Sequence, residues 1–204
     1  MHLYLFERPD LVSAEQVEAE MLPLLPDWRR KQALQFKHTL GQVLCAKAFL
    51  LLQEGLRKDY GYEGLITFDY VANGKPILRE RPDIHFSLSH CKEGILCVID
   101  DQPVGCDIES VERNVSQSLI SYCCNEKEQA EIANAIHPEE AFIKLWTRKE
   151  AIIKLSGEGI TSNLKNLMTS EVLQNTEITT NYNPKTGLAY SIARFCSSHS
   201  EKSI

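Results

Sequence analysis

No apolar run in the chain approaches the ~18 residues that a membrane-spanning helix requires. The first residues, Met1-His2-Leu3-Tyr4-Leu5-Phe6-Glu7-Arg8-Pro9, lack the charged start and long apolar stretch of a secretory signal. Positive charge is not in excess: 22 basic residues face 28 acidic ones, for a net of −6. That balance argues against non-specific nucleic-acid binding, which needs a basic face. The seven cysteines are odd in number and contain no CxxC pair, and several lie in apolar runs such as Ile95-Leu96-Cys97-Val98-Ile99. Neither a zinc ribbon nor a disulfide scaffold is expected from them. Free thiols in a reducing cytosol fit better, so a soluble, cytoplasmic protein is expected, with neither membrane nor nucleic acid as partner. Low-complexity segments and short repeats are also missing.

What remains is an ordinary globular composition. The 204 residues are 43% hydrophobic and 25% charged, enough to bury a substantial core. Residues 2–6 read as a short strand. The apolar stripe Ala33/Leu34, Leu40, Val43/Leu44, Ala48, Leu51/Leu52 predicts one long helix from about Asp27 to Arg57. Residues 29–60 carry seven basic side chains against two acidic ones, a local net of +5, which leaves −11 for the rest. Asn73-Gly74-Lys75-Pro76 is a turn signal. Residues 83–90 and 94–99 read as strands, and 104–109 as a hairpin partner to the second of these. Asn125 caps an expected helix to Ile136. Pro138 opens another that stops at Gly157. Two more strands are expected near 177–182 and 188–195. Strands and helices mix without strict βαβ alternation, which favours an α+β fold.

Four constellations could carry chemistry. In a strand, Asp107 and Glu109 point to one side while Cys106 and Ile108 face the core. Two adjacent carboxylates repel unless a cation sits between them, and an all-oxygen pair suits Mg²⁺. Read alone, the pair is equally a solvated strand edge. On the helix through Trp146-Thr147-Arg148-Lys149-Glu150, Glu150 and Lys154 stand one turn apart and share a face with Trp146. Alone they are an exposed ion pair worth a few tenths of a kcal/mol, ~0.3–0.5. Ser89-His90 ends the run Phe86-Ser87-Leu88 and could receive a phosphate or cap the strand; as nucleophile and base, adjacent Ser-His makes no triad and no nucleophile-elbow glycines flank it. Gly74-Lys75-Pro76 alone is a turn.

Taken in order, Gly74-Lys75-Pro76, Phe86 to His90, Val104 to Glu109, and Phe142 to Gly159 with Trp146, Lys149, Glu150, Ala151, Lys154 and Gly157 in place resemble the signature of the 4′-phosphopantetheinyl transferases. These motifs cover roughly residues 73–160. The resemblance implies transfer of 4′-phosphopantetheine from coenzyme A to a serine of an apo acyl or peptidyl carrier protein, with release of 3′,5′-ADP. Asp107 lies mid-chain, as in the long, Sfp-type class. That class implies two similar α+β halves in one chain, a monomeric pseudo-dimer with the active site between residues 1–105 and 106–204.

The resemblance also assigns roles. Asp107, Glu109 and Glu150 would hold Mg²⁺, or Mn²⁺ in its place. Glu150 would serve as general base on the serine, and Lys154 would neutralise or protonate the leaving phosphate. Lys75 and Pro76 would lie by the adenine, with Ser89 and a cationic His90 near the phosphates. Lys149 would add positive charge. The basic helix would meet the 3′-phosphate, through Lys37 on alignment at Gly41, with Lys31 and Lys47 as further basic residues. Cys91 departs from the family, many of whose members have a serine after the Ser-His pair, and would be a partly exposed, oxidation-sensitive thiol near the site. Two other readings are compatible with these residues. One is a different Mg²⁺-dependent phosphoryl-transfer enzyme or phosphodiesterase. The other is a non-catalytic module that binds coenzyme A or a carrier protein.

Overall fold

A computed structural model describes residues 1–71, 74–157 and 164–196. The strands are β1 (His2–Glu7), β2 (Phe68–Tyr70), β3 (Pro76–Leu78), β4 (His85–His90), β5 (Gly94–Asp100), β6 (Val104–Ser110), β7 (Thr176–Asn183) and β8 (Leu188–Phe195). The α-helices are α1 (Ala14–Gln16), α2 (Asp27–Ala33), α3 (Thr39–Tyr60), α4 (Gln117–Cys123), α5 (Glu126–Ala133), α6 (Pro138–Ser156) and α7 (Ser170–Asn175). Strands and helices are mixed, as an α+β reading expects. Among the described residues no helix is long and apolar enough to cross a membrane.

Two three-stranded antiparallel sheets organise the chain, in the orders β1-β5-β4 and β6-β8-β7. Every residue of the central strand β5 is buried, which is why its sequence is a continuous apolar run. Helix α3 packs Val43, Phe49, Leu52 and Leu56 into a core shared with Phe86, Ile95 and Ile99. Helix α6 lies on the second sheet. Its backbone comes so close to β6 that a Cβ at Gly105 would stand 2.1 Å from the carbonyl oxygen of Ala151 and 2.3 Å from the amide nitrogen of Leu155. Only glycine permits that approach, and the approach brings α6 against the strand that carries Asp107 and Glu109. The helix ends where expected, at Gly157 with φ 70°, a left-handed cap that costs glycine little.

The sheets meet at β4 and β6 through serine hydroxyls. The Ser87 hydroxyl accepts from the Cys106 amide at 2.9 Å, and the Cys106 thiol donates to the Ser87 carbonyl at 3.3 Å. The Ser89 hydroxyl accepts from the Ile108 amide at 3.4 Å. These bonds satisfy buried backbone donors that neither sheet's own ladder reaches.

Three expectations need correction. The helix expected over Asp27–Arg57 is two helices, because the chain turns at residues 34–38. There Gln42 donates through its side chain to the Phe36 carbonyl at 3.0 Å, and Arg29 on α2 donates to the Cys45 carbonyl on α3 at 2.9 Å. Leu34 and Phe36, which a continuous stripe would bury, are exposed. Residues 104–109 are not the hairpin partner of β5: β6 pairs with β8, Val104 opposite Arg194. Helix α5 stops at Ala133, short of the exposed Ile136, although Asn125 caps it as expected, in a capping box completed by Glu128. The turn at Gly74, whose φ is 82°, closes a β2–β3 hairpin that periodicity did not reveal. Asn73 and Gly159 lie outside the described residues.

Candidate active site

Three elements converge where the sheets meet. Strand β4 supplies Ser89, β6 supplies Asp107 and Glu109, and α6 supplies Glu150 and Lys154. The Lys154 ammonium donates to Asp107 Oδ1 at 2.7 Å and to Ser89 Oγ at 2.8 Å, while Ser89 donates to Asp107 Oδ1 at 2.6 Å. Ser89 and Asp107 are both buried. Glu109 is paired with Arg113, whose guanidinium also sits 5.4 Å from the centre of the Trp146 ring. Trp146 in turn stacks on Phe142 at 6.2 Å. The aromatic pair thus supports a cation that faces the carboxylates.

The electrostatics follow from burial and crowding. Burial, reinforced by Asp107 and opposed by Lys154 and Arg113, raises the Glu150 pKa. Burial also raises that of Glu109; Asp107 adds to the rise and Arg113 opposes it. Burial disfavours the charge on Lys154, but Asp107, Cys106 and Glu150 outweigh it and its pKa is raised. Asp107 Oδ2 and Glu150 Oε1 are buried without any hydrogen-bond partner. Orphaned acceptors of this kind are costly unless a cation or proton meets them.

Two cavities flank Leu88 on β4. One, of about 270 Å³, is lined by Lys75, Pro76, Phe86, Leu88, Ile153 and Lys154 among others. The second, of about 250 Å³, is lined by Arg29, Gln32, Phe36, Gly41, Leu88 and His90 among others. Lys75 donates to the carbonyls of Val104 at 3.2 Å and Leu155 at 3.3 Å. It thereby stabilises the negative end of α6, and burial lowers its pKa.

The expected residues fall into two groups. Lys75, Pro76 and Lys154 line the first cavity, Lys154 joins Ser89 and Asp107 by hydrogen bonds, Glu109 and Glu150 feel the charge of Asp107, and His90 lies at the second cavity. His90 is exposed, yet partial desolvation and the cations Lys154 and Arg29 lower its pKa, so the cationic form is disfavoured in the free protein. Lys149 does not reach the cleft. It is 1% exposed, and its ammonium donates to Glu128 Oε2 at 2.7 Å and to the carbonyls of Cys123 at 2.7 Å and Leu164 at 2.9 Å. All three donors are used inside the protein, so its expected role as added charge for a phosphate is corrected. Lys37 and Lys31 are exposed, and Lys47 lies 4.7 Å from the centre of the Phe6 ring. None of the three is among the residues lining either cavity; Arg29 takes that place. Burial pushes the half-exposed Cys91 thiol up to about 12, so the expected oxidation sensitivity has no thiolate behind it.

Two residues escaped the sequence reading. Arg29 sat in view within a basic cluster, but nothing local separated it from Arg30, which donates to the Leu22 and Leu25 carbonyls instead. Arg113 follows Glu109 by four residues across a turn and left no pattern. Among the described residues, no group of three or more His, Cys, Asp or Glu side chains is close enough to hold a metal ion. The cations Lys154 and Arg113 stand against two of the three carboxylates.

Known proteins resemble this chain in sequence. The family profile of the 4′-phosphopantetheinyl transferase superfamily matches residues 103–200, the stretch that carries Asp107, Glu109, Glu150 and Lys154. The chain is 36% identical over 157 residues to 4′-phosphopantetheinyl transferase psf-1 of Bacillus pumilus, covering 76% of this chain and 67% of that one. It is 27% identical over 157 residues to 4′-phosphopantetheinyl transferase Sfp of Bacillus subtilis (strain 168), covering 76% and 68%. To 4′-phosphopantetheinyl transferase AcpT of Escherichia coli (strain K12) it is 37% identical over 93 residues, 43% of this chain and 47% of that one. The matched segments take in about two thirds of the two Bacillus relatives. On these similarities the chain belongs to the 4′-phosphopantetheinyl transferase superfamily.

Proposed function

We propose that the protein moves 4′-phosphopantetheine from coenzyme A to a serine hydroxyl of an apo acyl or peptidyl carrier protein, releasing 3′,5′-ADP, with Mg²⁺ bound and Mn²⁺ able to replace it. The observation that carries this reading is the meeting of Ser89, Asp107, Glu109, Glu150 and Lys154 from three elements, beside two cavities that share Leu88. A long, charged nucleotide needs such an extended cleft with cations along it. Lys75 and Pro76 line one part, and Arg29 and His90 the other.

The orphaned Asp107 Oδ2 and Glu150 Oε1 are oxygen donors suited to a hard divalent cation, with Glu109 as the third carboxylate once Arg113 releases it. When bound, the ion would neutralise pyrophosphate charge and favour departure of the leaving phosphate. The remaining work belongs to the side chains. Glu150, one of whose oxygens is buried without a hydrogen-bond partner and which stands one turn before Lys154 on α6, would take the proton from the attacking serine. The serine oxygen forms a bond to the phosphorus nearest pantetheine, and the bond from that phosphorus to the bridging oxygen breaks. Lys154, positive and within hydrogen-bond reach of the cleft oxygens, meets the charge that develops on the leaving group. A phosphate near His90 would favour the imidazolium that the free protein disfavours.

We further propose that the chain is a pseudo-dimer of similar halves, 1–105 and 106–204, acting as a monomer in the cytoplasm. The support is that each three-stranded sheet carries one long helix, α3 or α6, and that the chain crosses between sheets from Asp100 to Val104. The test is intact-mass spectrometry of several apo carrier proteins incubated with this protein, coenzyme A and Mg²⁺. A gain of one phosphopantetheine, abolished by a chelator, is expected. Coenzyme A hydrolysis without an acceptor would establish a phosphodiesterase instead, and binding without transfer a binding module.

A further inference from the structure

Outside the cleft, Cys123 and Cys124 place two thiols side by side, with their sulfurs 3.7 Å apart. We propose that this pair is a bidentate site for thiophilic trivalent arsenicals, compounds of the form R–As=O, and that filling it disturbs the seat of α6. The only reliance on the proposed transferase reading is in the activity readout below.

Geometry selects chelation over a disulfide. Adjacent α-carbons on a trans peptide stand ~3.8 Å apart, below the ~4.4–6.8 Å that unstrained disulfides span. A single arsenic needs no direct sulfur–sulfur bond and can bridge the observed gap once the two sulfurs draw together, which the short ring transmits to the peptide between them. Two thiols without a third protein ligand also suit a metalloid that brings its own substituent, and no third metal-ligating side chain joins them among the described residues. Soft thiolate ligands prefer soft acceptors. The step balances: two As–S bonds form, the As=O bond breaks, and the two thiol protons leave with that oxygen as water. Arsenic stays trivalent and nothing is oxidised.

The surroundings favour reaction. The hydrogen bond shared with Cys124 pulls the Cys123 pKa down, aided by the Lys149 ammonium, and pushes that of Cys124 up. One thiol is therefore the readier nucleophile. Both are 1% exposed, so entry requires opening. Helix α4 is suited to open, because it is seven residues long and Cys123 is its one buried residue. The link to the cleft is one hydrogen bond and one peptide bond long. The Cys123 carbonyl accepts one of the three Lys149 hydrogen bonds, and Lys149 adjoins Glu150 on α6. A ring closed through arsenic constrains the Cys123–Cys124 peptide and pulls that carbonyl from its place.

The experiment is intact-mass analysis of the native full chain after exposure to phenylarsine oxide and a glutathione wash, with Cys123→Ser, Cys124→Ser and Cys196→Ser in parallel. One adduct per chain is expected on wild type and on Cys196→Ser, removable by dithiothreitol, and none on the other two. An adduct retained by both Cys123→Ser and Cys124→Ser, or labelling of the unfolded but not the native protein, overturns the site. In the carrier-mass assay the wild-type adduct should slow transfer by roughly ten- to a hundredfold, the scale of a small misplacement of reacting groups, and dithiothreitol should restore it. An adduct that leaves the rate unchanged overturns the coupling to α6. If no transfer is seen even without arsenical, the proposed function fails while the mass result still decides the site.

Discussion

Replacing Lys149 with methionine separates a structural cation from a phosphate ligand. The wild-type ammonium is fully buried and bonded to Glu128 and two carbonyls. Those partners lie in three segments: α5, the end of α4, and the short turn at Leu164–Asn166. Methionine matches the length but leaves the Glu128 carboxylate buried with neither oxygen paired to a cation, since Glu128 Oε1 already lacks a partner. Removing one member of a buried pair costs ~3–5 kcal/mol. For a chain of this size each kcal/mol moves the melting temperature by ~2–4 °C. Lys149→Met should therefore lower Tm by roughly 6–20 °C. The double change Lys149→Met with Glu128→Leu should recover much of that loss, because no uncompensated charge remains. Differential scanning calorimetry of the two single variants and the double variant closes the cycle. Below its melting transition, the Lys149→Met protein should keep its KM for coenzyme A. A Tm within ~2 °C of wild type together with a raised KM would refute the reasoning and return Lys149 to the cleft.

Four further outcomes are expected. Glu150→Gln should lower turnover in the carrier-mass assay by roughly 10²–10⁴-fold, and a near-normal rate would remove Glu150 as base. In the metal-free protein Arg113→Met should raise the pKa of both Glu109 and Glu150, because Arg113 holds both down; carboxyl resonances whose NMR titration does not move would separate Arg113 from them. The raised folded-state values of those two carboxylates mean the native state holds their protons more tightly than the unfolded chain. In the metal-free protein, stability from that pair should thus fall as pH rises from the ordinary glutamate value through the folded one, measurable by denaturant titration in chelator against a Glu109→Gln/Glu150→Gln variant. Gly105→Ala should destabilise the fold, because its Cβ meets the α6 backbone at 2.1 Å and backbone cannot swing aside as a side chain can; a wild-type Tm would contradict the packing.

Local patterns specified a good part of this protein. The start and stop of α6 were legible in Pro138 and Gly157, the α5 cap in Asn125, and the places of β7 and β8 to within a residue or two. Asp107 and Glu109 share a strand face, and Glu150 and Lys154 a helix face, because those periods are properties of the backbone itself. Tertiary structure alone decided which faces meet. A strand's alternation does not name its partner, so β6 pairs with β8, some 80 residues on, rather than with its neighbour β5. Nor does a lysine's charge say where it ends: Lys149 and Lys154, five residues apart, point to opposite environments. One meets Glu128 and two carbonyls in the interior, the other Asp107 and Ser89 in the cleft. The break between α2 and α3 likewise comes from Arg29 reaching the Cys45 carbonyl across the turn. Periodicity is written in a few adjacent residues, whereas burial, ion pairing and pKa depend on atoms that only folding brings within a few ångströms.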